Sequence, residues 1–110
     1  MTAPAGVRVV LVTAPEDAAD TLARTLVTDG IAACVNVLPG VRSVYRWEGD
    51  VESATESLLI LKVPSAGSDD LAERVAERHP YDVPEVLLLD VAEGLPAYLE
   101  WVVNATGGVS

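Results

Sequence analysis

The sequence predicts an α+β domain of the ferredoxin-like, split βαβ type, PII-like in outline and carrying an extra C-terminal helix; three observations lead there. Segments with strand and helix character follow one another as strand, helix, strand, one or two further strands, helix, strand, helix. Glycine and proline fall singly between these segments and act as punctuation, and no repeat, low-complexity tract or long linker divides the 110 residues. Half of the residues are apolar, and a chain of this length buries roughly two-thirds of its unfolded surface without a disulfide or structural metal. A single domain over residues 1–110 is expected, with residues 1–6 and 107–110 as flexible ends.

Residues 7–12 read as the first strand, and Thr13-Ala14-Pro15-Glu16 has the form of a capping box, a hydroxyl and a carboxylate placed to satisfy free amides at a helix start. Ala18, Ala19, Leu22 and Leu26 recur at helical spacing, and Gly30 stands where a left-handed residue would close that helix. Residues 31–38 are rich in branched side chains, Pro39-Gly40 predicts a tight connection, and residues 41–48 have strand character, so a hairpin is expected there. Glu48-Gly49-Asp50 marks a turn or bulge before an extended stretch that ends in residues 58–63; whether 41–63 forms two strands or one broken strand is left open. Ser68-Asp69-Asp70 places anionic groups at the positive end of a second helix, Leu71, Ala72, Val75 and Ala76 form its apolar stripe, and Pro80 stops it. Residues 85–91 read as the last strand, and Pro96 with Tyr98, Leu99 and Val102 as a short final helix ending before Gly107.

A sheet covered by helices on one side alternates apolar and polar residues along each strand. Here Leu58 and Ile60 oppose Leu59, Leu61 and Val63, and Val86 and Leu88 oppose Leu87, Leu89 and Val91, so both faces are apolar. Two helices of this length cover one face. At about 25 cal/mol per Å² the other would be a large unfavourable patch, which predicts self-association, with partial cover by the C-terminal helix as the alternative.

Charge and composition exclude several functions. Seven Lys and Arg stand against 17 Asp and Glu, giving −10 overall, and the basic residues are scattered, which argues against a phosphate-backbone partner. The longest apolar runs are four or five residues, as at 31–35, far below the ~18 of a membrane span. The start has neither a basic region nor a long apolar one, so no secretory signal is read, and one cysteine forms no internal bridge; the cytoplasm is the expected compartment.

Chemistry-bearing residues are few. Cys34 lies in a strand, either as a small buried hydrophobe or as a thiolate ligand for a soft metal such as copper. His79, the single histidine, ends the second helix, where a cation complements the helix dipole and where an imidazole could also ligate metal. His79-Pro80-Tyr81-Asp82-Val83-Pro84-Glu85 is a rigid turn of the kind that holds binding groups. In Tyr45-Arg46-Trp47-Glu48-Gly49, Tyr45 and Trp47 read as anchors of the core or of a protein contact. No phosphate loop, Ser/His/Asp set or paired-cysteine motif occurs, and no enzyme is expected.

The sequence resembles the CutA family of divalent-cation tolerance proteins. The matching pieces run in order: Val12-Thr13-Ala14-Pro15, Ala32-Ala33-Cys34-Val35-Asn36, Pro39-Gly40-Val41, Ser43-Val44-Tyr45-Arg46-Trp47-Glu48-Gly49, Glu56 with Leu59-Ile60-Leu61-Lys62, His79 to Glu85, and Tyr98-Leu99-Glu100-Trp101. The resemblance implies a homotrimer of ferredoxin-like subunits similar in shape to PII signalling proteins, with strands of neighbouring subunits joined around the axis. It further implies tolerance to copper or another divalent cation, metal contact through the residues matching Cys34 and His79, and no established catalysis. The family's usual Lys-Thr after the third strand reads Lys62-Val63-Pro64 here. A PII-like module that binds a small ligand or a partner protein in clefts between subunits is the alternative.

Overall fold

The computed structural model describes residues 4–106. Of the expected flexible ends, residues 1–3 and 107–110 lie outside the described part, while the Ala5 N–H donates to the Val91 carbonyl at 3.1 Å. The elements are β1 (Val7–Pro15), α1 (Glu16–Thr28), β2 (Cys34–Trp47), β3 (Asp50–Pro64), α2 (Leu71–Arg78), β4 (Val86–Asp90) and α3 (Pro96–Ala105). They form one antiparallel sheet in the order β2-β3-β1-β4, the expected ferredoxin-like arrangement.

One sheet face packs on α1 and α2. Val10, Val12 and Ala14 of β1 and Leu59, Leu61 and Val63 of β3 point into a core shared with Leu22 and Leu26 of α1 and Leu71 and Val75 of α2. α1 ends as its sequence predicts. Asp29 caps it, Gly30 takes φ +73°, the Gly30 N–H bonds the Val27 carbonyl, and the Ile31 N–H reaches back to the Leu26 carbonyl at 2.9 Å. This is a Schellman closure, and the buried side chains of Ile31 and Leu26 supply its apolar contact.

Two local expectations are corrected. The capping box does not form: Thr13 stays in β1 opposite Leu58, Pro15 is the N-cap without a side-chain bond, and the Glu16 carboxylate instead accepts the Gly40 N–H at 2.6 Å. Pro39-Gly40 is not a hairpin turn either, because β2 runs through it with a register shift between Leu38 and Val41. An edge strand tolerates proline at such a bulge, since the missing N–H faces no partner strand. The turn lies at Glu48-Gly49, both at positive φ (49° and 87°), which matches the twist of a two-residue hairpin. Residues 41–63 are therefore split between two strands.

β1 ends opposite Glu56, so residues 42–47 of β2 and 50–55 of β3 pair only with each other. They form a two-stranded arm of roughly 20 Å, and the molecule measures 45 × 26 × 23 Å. On the second sheet face α3 covers only the end near Val7, where Val102 packs with Val7 and Ala33. Leu38, Leu87 and Leu89 remain exposed there, as the alternation argument requires. Among the described residues no helix is long and apolar enough to cross a membrane.

Candidate functional site

Register places Cys34 precisely enough to judge its chemistry. Cys34 opens β2 opposite Lys62, and Lys62 lies opposite Val9, which faces Leu89. Paired residues share a face, so Cys34 and Lys62 sit together on the face away from α1 and α2. The Lys62 Nζ is 3.9 Å from the Cys34 Sγ and also donates to the Asn36 side-chain carbonyl. Tyr98 of α3 lies over this group; burial raises its phenol above the ordinary range and the neighbouring Cys34 adds to the rise.

His79 follows the last turn of α2 in an extended conformation, as the C-cap, with Pro80 preventing continuation. Its ring is largely buried, and backbone groups occupy both nitrogens. Nδ1 accepts the Tyr81 N–H at 3.0 Å, so Nε2 carries the hydrogen and donates to the Thr13 carbonyl at 2.7 Å. Thr13 lies one residue beyond the β1–β4 ladder, which ends at Val12 and Val86, and the imidazole ties the α2–β4 loop to β1 there.

Cys34 and His79 do not meet within one chain. Cys34 is level with Val9 and His79 with Thr13, about 13 Å apart along β1, with two strand spacings of about 4.8 Å between β2 and β1. Among the described residues no three His, Cys, Asp or Glu side chains converge as a metal-holding group. The two donors therefore do not form a preformed metal site in one subunit.

The residues that do converge are Tyr81 and Glu56, whose pairing the sequence reading missed. The Tyr81 hydroxyl donates to the Glu56 carboxylate at 2.8 Å, and Glu56 is 8% exposed at the point where the arm leaves the sheet. Burial first, then the Glu56 hydrogen bond and charge, push the Tyr81 phenol up to about 12. A raised folded value gives a contribution that is complete below the ordinary tyrosine value near 10 and is lost as pH rises through about 12. Ultraviolet titration should therefore show Tyr81 ionising last, after Tyr98, whose phenol is also raised, and Tyr81→Phe should remove that last step. Only the clustering of Tyr81 with two prolines hinted at a binding role; Glu56 is 25 positions away and its partner is set by register.

Beside this pair lies an open cleft of about 1010 Å³ between the arm and the α2–β4 loop. Tyr45 and Trp47, expected as anchors, line it from the arm and are half exposed, so they are not part of the core of the single chain.

The comparisons agree with this architecture. Residues 8–105 match the family described as CutA1 divalent ion tolerance protein. A "Divalent-cation tolerance protein CutA" from Thermus thermophilus is 47% identical over 100 residues, covering 90% of this chain and 97% of that one. "Protein CutA, chloroplastic" from Arabidopsis thaliana is 48% identical over 99 residues, and the chain spans 54% of its length. The structure titled "PII-like protein CutA" from Nostoc superposes with a TM-score of 0.84 at 37% identity, covering 90% of this chain and 96% of that one. Motifs, strand order and these likenesses converge: the chain belongs to the CutA1 divalent ion tolerance family.

Proposed function

We propose that the protein serves divalent-cation tolerance as a homotrimeric, metal-responsive module without catalytic turnover, in the cytoplasm. The observation that carries the assembly is the uncovered arm together with the uncovered sheet face. An isolated two-stranded hairpin is marginal in water, yet this one holds Val44, Trp47 and Val51 exposed, and Leu87 and Leu89 extend the apolar surface on the sheet. A neighbouring chain laid against these surfaces buries both. The name of the Thermus thermophilus relative and the description of the matching family support the tolerance role, and neither is that of an enzyme.

Copper contact through Cys34 and His79 is proposed at the level of the assembly, because one chain holds the two donors far apart. A thiolate and an imidazole suit copper, but the imidazole must first give up a backbone hydrogen bond. Binding should therefore be weak and reversible. Copper titration at high salt, which removes nonspecific attraction to the acidic surface, should show weaker binding in Cys34→Ala and in His79→Gln, each checked for a native melting profile. Unchanged binding in both variants would remove these residues from the site.

A PII-like role, with a small ligand in the cleft between arm and loop, is the second reading. The aromatic side chains of Tyr45, Trp47 and Tyr81 that line it support this reading.

A further inference from the structure

Resting on the trimer proposed above, we infer that the arm is aimed by a two-sided clamp at its root, the Glu16 carboxylate on one face of the sheet and the Tyr81 hydroxyl on the other, and that through Tyr81 the position of the α2–β4 loop governs assembly. The root is the weak point of the sheet. Glu56 is the last residue of β3 with a partner on both sides, Pro15 of β1 and Val41 of β2, and Pro15 offers it no N–H. On β2 the register passes over Pro39 and Gly40, and such a bulge bends a strand. Beyond that level the arm is a two-stranded ribbon, marginal in water by itself, with nothing in the ladder to fix its direction.

Two contacts from outside the sheet meet at this level. Glu16 follows Pro15 directly as the first residue of α1, and its carboxylate accepts the Gly40 N–H at 2.6 Å, which ties the bulge of the edge strand to the body across β3. A charged acceptor makes this one of the stronger kinds of hydrogen bond, and a helix start favours the negative charge. On the opposite face, Ser57 pairs with Ala14, which points into the core, so Glu56 next to it points away from α1. There it accepts the Tyr81 hydroxyl at 2.8 Å. One tie would leave the arm free to swing about it; ties on two strands, from two faces, resist bending both ways. Val44, Trp47 and Val51 are exposed on the arm, and an arm held in one direction presents them to a neighbouring chain without the ordering cost of a mobile one. Glu16 and Tyr81 are positioning residues for assembly.

Hydrogen exchange of the full chain, read by mass spectrometry over residues 40–55, and particle mass over a dilution series test the proposal on Glu16→Ala, Glu16→Gln, Tyr81→Phe, the double variant of Glu16→Ala with Tyr81→Phe, and the surface control Glu73→Gln. Arm exchange is expected to rise about tenfold in Glu16→Ala and in Tyr81→Phe, the loss of one hydrogen bond to a charged group, and further in the double variant. Glu16→Gln keeps an acceptor oxygen and should restore most of the protection, while Glu73→Gln should match the wild type. The concentration at which the trimer dissociates should rise in the same order. Exchange in the core strands, residues 59–63, separates a freed arm from general loss of stability, and Glu16→Ala, at an exposed position, keeps the test open if Tyr81→Phe disturbs the fold. Wild-type arm exchange in both single variants, or a rise that the core strands share equally, would overturn the clamp. Faster arm exchange with an unchanged dissociation concentration would overturn its link to assembly. A wild type that is monomeric throughout the series would overturn the trimer, and a tenfold rise in arm exchange in the variants would even then uphold the clamp.

Discussion

Replacing Leu61 by alanine is expected to lower folding stability by about 3–4 kcal/mol, in the range for leucine truncation in a closed core. Leu61 is fully buried at the centre of the sheet, paired with Val10 on β1 and Val35 on β2, and it belongs to the cluster that joins both strands to α1 and α2. Regular strands on two sides hold the backbone in place, so the lost volume stays as a cavity. Chemical denaturation at one fixed protein concentration, necessary where assembly contributes to stability, should show a large drop in midpoint. A change below about 1 kcal/mol would mean that the site collapses around the smaller residue.

Gly30→Ala is expected to cost about 2–4 kcal/mol through two separate effects. Its φ of +73° lies in the left-handed region, where an L side chain costs about 1–2 kcal/mol. A Cβ there would also stand 2.6 Å from the Thr106 carbonyl oxygen, a backbone atom at the end of α3 that cannot move aside as a side chain does. Gly49 at the tip of the arm is the control. It has φ +87° but nothing within 4 Å of a Cβ, so Gly49→Ala should carry the conformational cost alone. Equal losses in the two variants would show that the contact between the end of α1 and the end of α3 is loose.

Where the signal is local, the sequence was readable. Gly30 and the apolar pair around it announce the closure of α1, Pro80 the end of α2, and Pro96 the start of α3. Two-sided apolar patterning in residues 58–63 and 86–91 announced a sheet with one face left open, and the exposed Leu87 and Leu89 bear that out. Pro39-Gly40 misled because proline followed by a positive-φ glycine suits a tight turn and an edge-strand bulge equally well, and only the strand order shows that β2 lies at an edge. Thr13 and Glu16 misled for a related reason. A capping box requires Thr13 to leave the sheet, but its pairing with Leu58 keeps it there, and Glu16 finds the Gly40 amide instead.

The candidate site was less legible, because it depends on register and not on spacing. Cys34 and His79 were singled out by residue type, and nothing in the sequence shows that they stand at different levels of β1. The pairing of Tyr81 with Glu56, the Lys62 ammonium beside Cys34, and the meeting of the arm and the loop across one cleft all arise where distant segments come together.

The trimer proposed above would cover the arm and the open sheet face, whose apolar side chains are exposed in the single chain. Light scattering on a size-exclusion column at low micromolar concentration measures it directly. About three chains per particle are predicted, without dissociation on dilution across the column; a monodisperse monomer at that concentration would contradict it.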